Sequence, residues 1–255
     1  MSKLPLAYKF IDVSDYGRKP GRWIAKSLVN TKATPIHVTT LFIIAGLIAI
    51  LFILSGFYYV AALFMVLKSI IDAADGELSR LKKTPSHTGR YYDSIADLIL
   101  NFLFLSAIAY TTNTAFGIML LAFFGIQLQG TVYNFYYVIL RNSVNGDSTS
   151  RIFENETPTA LKGEKQSTVN KIYAVYIALY GPFDKIIYWM YSQAKDSKPF
   201  PKWFMTLVSM YGLGFQLLIM AFMLILNLTP YIIPFFIIYS VLILVFVIIR
   251  KLFLK

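Results

Sequence analysis

Four aspartates at helical spacing are the part of this chain equipped for chemistry. Asp72 and Asp75 lie in the block Asp72-Ala73-Ala74-Asp75-Gly76-Glu77-Leu78-Ser79-Arg80, and Asp93 and Asp97 lie in Gly89-Arg90-Tyr91-Tyr92-Asp93-Ser94-Ile95-Ala96-Asp97. The first pair is three residues apart and the second four, so each pair shares one helix face. Ionised carboxylates at the edge of a bilayer are costly and mutually repulsive, and they persist where something cationic binds them. An all-oxygen set suits hard cations such as Mg²⁺ or Mn²⁺. Two such ions about 3.5–4 Å apart are the usual clamp for displacement at phosphorus. Gly76 and Gly89 leave room for a phosphate or a substrate backbone. Arg80 offers a fork suited to a diphosphate. Asp97, one turn beyond Asp93, is suited to take a proton from an attacking hydroxyl.

The elements that must position these blocks are apolar. The chain of 255 residues is 57% hydrophobic and only 15% charged, which excludes an ordinary soluble domain and indicates an all-α, polytopic membrane protein. A bilayer-crossing helix needs about 20 residues, and spans are expected near 36–56, 58–79, 91–112, 114–140, 203–227 and 230–249. All 24 Lys and Arg fall in the N-terminal arm, the 80–90 loop, the 141–202 segment, the C-terminal tail, or at Lys68. The connections Ser55-Gly56-Phe57, Thr112-Asn113-Thr114 and Asn227-Leu228-Thr229-Pro230 carry no charge. The positive-inside rule then places both termini, the 80–90 loop and the 141–202 segment in the cytoplasm, which requires an even number of spans. Six satisfies this. The net charge of +11 therefore reads as topology and affinity for anionic lipid, not as nucleic-acid binding. The absence of cysteine removes disulfides, thiolate nucleophiles and thiolate metal sites. No cleavable signal peptide is expected, because the N-terminal stretch lacks an apolar core.

Residues 1–35 form a basic, aromatic cytoplasmic arm, in which Arg22, Trp23, Ile24, Lys26 and Leu28 suit an amphipathic helix lying at the membrane interface. Residues 36–255 form the six-span domain, with 141–202 as a cytoplasmic insertion between spans four and five. Within the insertion, 169–191 is expected to be an interfacial or membrane-dipping helix broken by Gly181-Pro182. Gln127, Gln129 and Asn134 on the fourth span either line the pocket or bridge helices. His37 and His87 have no partner at ligand spacing and read as surface residues.

The two blocks together resemble the signature of the CDP-alcohol phosphotransferase family, Asp-x2-Asp-Gly-x2-Ala-Arg-x8-Gly-x3-Asp-x3-Asp. Asp72, Asp75, Gly76, Arg80, Gly89, Asp93 and Asp97 match it, with Ser79 in place of the usual Ala. A looser similarity covers about residues 15–140, including Thr34-Pro35 at the start of the first span. The resemblance implies a six-span homodimer whose site opens to the cytoplasm and the bilayer. It implies transfer of a phosphoryl-alcohol group from a CDP-alcohol to a hydroxyl, with release of CMP. By the same resemblance Asp72, Asp75, Asp93 and Asp97 hold two divalent ions, and Asp97 and Asp93 are the catalytic carboxylates, Asp97 as general base. Asp72, Gly76, Ser79, Arg80 and Gly89 bind the nucleotide, with Gly76 and Ser79 facing the cytidine and Arg80 the diphosphate.

The expected function is phospholipid synthesis: a phosphatidyl group passes from CDP-diacylglycerol to a small polar alcohol, namely a polyol, a polyol phosphate or serine. A phosphorylated acceptor needs a second basic cluster, which Arg141 and Arg151, with Lys162 and Lys165, could supply; plain positive-inside charge is the blander reading of the same residues. The alternative within the class is a CDP-choline or CDP-ethanolamine donor acting on diacylglycerol. A carboxylate-lined cation transporter is the rival from another class, and it would require internal symmetry or acidic residues near mid-membrane. No internal repeat is evident.

Overall fold

A computed structural model describes residues 4–144, 156–190, 192 and 199–253. Among the described residues the chain is helical, with no strand. The helices are α1 (Arg18–Leu28), α2 (Pro35–Leu54), α3 (Tyr58–Lys82), α4 (His87–Thr111), α5 (Phe116–Ser143), α6 (Gln166–Met190), α7 (Lys202–Val208), α8 (Leu213–Ile225), α9 (Thr229–Ser240) and α10 (Leu242–Phe253). Among the described residues four stretches are long and apolar enough to cross a membrane: α2, α4, α5 and the run Thr229–Leu252 through α9 and α10. The run Lys202–Tyr211 and α8 make a fifth if their 55° bend is taken as one broken span. The remaining expected span is α3. It has 25 residues, but Lys68 lies near its middle and Asp72, Asp75, Glu77, Arg80 and Lys82 lie along its second half.

Local chemistry explains where the helices around the acidic blocks begin and end. Thr34 caps α2: its hydroxyl accepts from the His37 amide at 3.3 Å, and His37 Nδ1 accepts from the Thr34 amide at 3.1 Å. Pro35 follows at the first helical position, where its missing N–H costs nothing. His37, read from sequence as a surface residue, is exposed and serves there as a cap. Lys83 stops α3 in the left-handed region at φ 53°, and Ser86 starts α4 by accepting from the Gly89 amide at 2.8 Å. This tight turn sets the two acidic blocks facing one another. α2 packs along both α3 and α4. The core joins apolar residues of α2, α3, α4, α5, α8 and α9, including Phe42, Met65, Phe104, Ile126, Met220 and Phe236.

The N-terminal arm is more than a surface feature. α1 crosses α3 at Gly17 and Gly21, where a Cβ would stand 2.9 Å from the carbonyl oxygens of Ser69 and Ile70 respectively. Ala25 is buried with Ala74 and Leu78 of α3, while Trp23 on the other face is 76% exposed. Ahead of α1, a 3₁₀ turn at Val13–Asp15 threads against the break between α7 and α8. There the Val13 amide donates to Ser209 Oγ at 3.1 Å, and a Cβ on Gly212 or Gly214 would collide with Ser14. The span expected at 203–227 is bent where the arm inserts.

The insertion also differs from its expected form. α6 runs unbroken through Pro182, with Val169, Phe183 and Ile187 buried. A proline removes one backbone bond and crowds the preceding turn, but packing against α4 and α5 holds this helix in place. Tyr91 of α4 stands among Tyr173 and Tyr176 at ring distances of 5.7 and 4.7 Å. The Tyr180 hydroxyl donates to the Ser94 carbonyl at 2.6 Å.

Candidate active site

The acidic residues converge between α3 and α4, but not as a symmetric quartet. Asp72, Asp75 and Asp93 each present an oxygen within 4.8 Å of the others. Asp75, only 9% exposed, accepts from Thr39 Oγ1 of α2 at 2.7 Å. Asp93 Oδ1 is buried and has no hydrogen-bond partner. Asp97 instead meets Lys68, whose ammonium donates to Asp97 Oδ1 and, at 2.9 Å, to Asp72 Oδ2. Lys68 lies one helical turn before Asp72, and the i, i+4 spacing puts both on the same face.

Beside the acidic cluster, three guanidinium groups share one carboxylate. Glu77, 2% exposed, accepts from Arg18 Nε at 2.8 Å, Arg80 Nη2 at 2.8 Å and Arg22 Nε at 3.1 Å. Arg18 also reaches Asp15 Oδ2 at 2.8 Å. Such charge-assisted forks fix long side chains that would otherwise sample many rotamers. A Cβ on Gly76 would stand 3.5 Å from the Arg80 guanidinium, so the glycine keeps the approach to that group open.

The four aspartates, Arg18 and Arg80 line one cleft of about 310 Å³. Its walls include Asp72, Asp75, Asp93 and Asp97, Gly76 and Arg80, together with Ser14, Asp15 and Arg18 from the arm and Tyr133 and Tyr137 from α5. The Tyr133 hydroxyl donates to Asp12 Oδ2, tying the arm to α5. A second hollow of about 560 Å³ shares Asp12, Asp15, Arg18 and Tyr137 with the first and adds Lys9, Lys19, Arg22 and Trp23.

The remaining expected residues lie elsewhere. Ser79 does not line the cleft, and its hydroxyl donates to the Thr84 carbonyl at 3.0 Å. Gly89 also stands outside the lining, at the N-terminal cap of α4. Arg141 is buried near the end of α5, with its guanidinium carbon 5.8 Å from the centre of the Tyr137 ring. Arg151 lies outside the described residues. Gln129 bridges helices: it donates to Ser240 Oγ at 2.9 Å and accepts from Gln216 at 3.0 Å. Sequence reasoning missed Lys68, Thr39, Glu77, Tyr133, Tyr137 and the arm residues Asp12, Asp15 and Arg18. Only Lys68 carried a local signal, as a lone cation inside an otherwise apolar run ending at Asp72.

An all-oxygen set that includes a buried, unpartnered carboxylate oxygen fits a hard divalent cation. Residues 32–247 match the sequence profile of the CDP-alcohol phosphatidyltransferase family, and the chain belongs to that family. Among its relatives, a protein of Archaeoglobus fulgidus named bifunctional IPC transferase and DIPP synthase is 34% identical over 110 residues, or 42% of this chain and 22% of that protein. A protein of the same name from Thermococcus kodakarensis is 36% identical over 85 residues, or 33% of this chain and 19% of that protein. The matched region is thus about a fifth of the length of these curated relatives.

Proposed function

We propose that this protein transfers a phosphatidyl group from CDP-diacylglycerol to a hydroxyl of a small polar alcohol and releases CMP. The observation that carries the reading is the convergence of Asp72, Asp75 and Asp93 in a cleft that also holds Gly76 and Arg80. Asp72, Asp75 and Asp93 would hold a divalent ion, Mg²⁺ or Mn²⁺, which when bound neutralises diphosphate charge and eases departure of CMP. The second of the two ions expected from the signature would draw on Asp97, which Lys68 holds.

The chain's own groups divide the remaining work. Arg80 and Arg18, fixed by Glu77, offer guanidinium donors to the diphosphate. Asp97, on the same α4 face as Asp93, accepts the proton of the attacking hydroxyl, and Lys68 fixes its orientation. The hollow beside the arm, with Lys9, Lys19 and Arg22 around Tyr137, is a place for a polar or phosphorylated acceptor, and Arg141 stands against the same ring. A bilayer location follows from the donor, whose acyl tails stay in lipid while its headgroup enters the cleft. Six passes, through α2, α3, α4, α5, the bent α7–α8 pair and α9–α10, put both termini and the cleft in the cytoplasm. The arm then lies at the interface and the functional unit is a homodimer. The transferase and synthase activities in the relatives' names support group transfer over ion transport.

The test is direct. Purified protein in mixed micelles is given CDP-diacylglycerol, Mg²⁺ and a panel of polyols, polyol phosphates and serine. CMP release that needs both the metal and one alcohol, with a matching new phospholipid, is the expected result. Metal-dependent release of CMP from CDP-choline with diacylglycerol, and none from CDP-diacylglycerol, would overturn the donor assignment.

A further inference from the structure

Lys68 stands inside the acidic cluster and is 1% exposed. Its ammonium is gripped by Asp72 Oδ2 and Asp97 Oδ1 at once, and the Phe42 ring of α2 closes over it with 4.4 Å between Nζ and the ring centre. Asp72, Asp75 and Asp93 already form a compact oxygen set without Asp97. A divalent ion binds carboxylate oxygen at roughly 2.0–2.1 Å. An ion shared by Asp72 and Asp97 would therefore crowd the ammonium that now joins them, and two cations that close repel. Withdrawing the lysine is no easy escape, because its stem is enclosed by packed helices.

We propose that the Lys68 ammonium is the second cation of this site. The chain takes one divalent ion, on Asp72, Asp75 and Asp93, while Lys68 neutralises and orients Asp97 in place of another metal. This rests on the metal-dependent transfer reading above and narrows it. A covalently attached cation survives chelation, so Asp97 stays oriented when the divalent ion is removed.

Manganese binding to the purified full chain in detergent tests the assignment, with stoichiometry from equilibrium dialysis and ion separation from electron paramagnetic resonance. The wild type is expected to take one Mn²⁺ per chain and give an isolated six-line spectrum. Lys68→Gln is expected to take two and show a spin-coupled pair, whereas Lys68→Arg stays at one. Two ions or a coupled spectrum in the wild type overturns the proposal. So does a Lys68→Gln protein that melts cooperatively and still takes one. The wild-type measurement decides the matter even if the glutamine variant does not fold. CMP release assayed on the same sample separates the two readings: one bound ion without release defeats the transfer reading and supports the role of Lys68. Absence of Mn²⁺ binding overturns both.

Discussion

Asp97 and Asn differ by one atom, and that atom separates geometry from proton transfer. Asp97→Asn keeps the side-chain shape and leaves Lys68 its contact with Asp72. CMP release should fall by roughly 10²–10⁴-fold, the usual worth of a general base, while detergent extraction and cooperative melting persist. Turnover within threefold of wild type would remove Asp97 from the proton-accepting role. At this scale the sequence was most informative where spacing alone decides which side chains share a face, as for Asp72 with Asp75 and Asp93 with Asp97. It was silent where the partner is remote. Glu77 meets Arg18 across 59 residues, and no local pattern announces that ion pair. Lys68 shows the intermediate case: its oddness was visible, but not its second partner on another helix.

Helices fail or hold at their closest approaches, and the crossing of α1 over α3 is one of these beside the site. A Cβ on Gly21 would lie 2.9 Å from the Ile70 oxygen and 3.0 Å from the Ala74 nitrogen, both backbone atoms of the helix carrying Asp72. Gly21→Ala gains up to about 1 kcal/mol of helix propensity but incurs an overpacking cost of about 1–3 kcal/mol. A lower melting temperature and reduced CMP release are expected, whereas Gly130→Ala, with nothing within 4 Å, should be neutral or stabilising. The insertion is tied to α4 in a different way. Glu164 accepts from the Thr88 amide at 2.7 Å and from Ser86 Oγ at 2.8 Å, placing a carboxylate at the N-terminus of the helix that carries Asp93 and Asp97. Burial alone would raise its pKa, but the Thr88 and Leu161 amides and the Ser86 hydroxyl bring it from 4.5 down to about 2. Its folded pKa is depressed, so its contribution is complete above pH 4.5 and is lost as pH falls toward 2. The melting-temperature gap between wild type and Glu164→Gln should therefore shrink across that window, and a constant gap would show that the clamp is not what titrates. Neither device was legible in the sequence. The basic arm reads as amphipathic whether it lies on lipid or on α3, and Gly181-Pro182 signals a break that tertiary packing overrides.

On the proposed function the whole molecule presents the cleft to a water-soluble alcohol while lipid tails remain in the bilayer. Its outer surface suits lipid, with Leu41, Ile44, Leu51, Leu63, Phe116, Leu121 and Phe124 all exposed. Its cations are absent from the turns after α2, α4 and α8, whereas the turn after α3 and the segment after α5 carry Lys and Arg. That asymmetry was legible in composition, and the expected topology rests on it. The bend of 55° before α8 was not, because it answers to a 3₁₀ turn some two hundred residues away in sequence. The chain lacks cysteine, so single introduced cysteines report sidedness without background. In intact cells a membrane-impermeant maleimide should label Ser55→Cys and Thr114→Cys, at the uncharged turns. Thr84→Cys, between the acidic blocks, and Lys162→Cys, in the insertion, should label only after permeabilisation. External labelling of Thr84→Cys would put the acidic cleft on the wrong side for a cytoplasmic nucleotide-lipid, and with it the proposed donor.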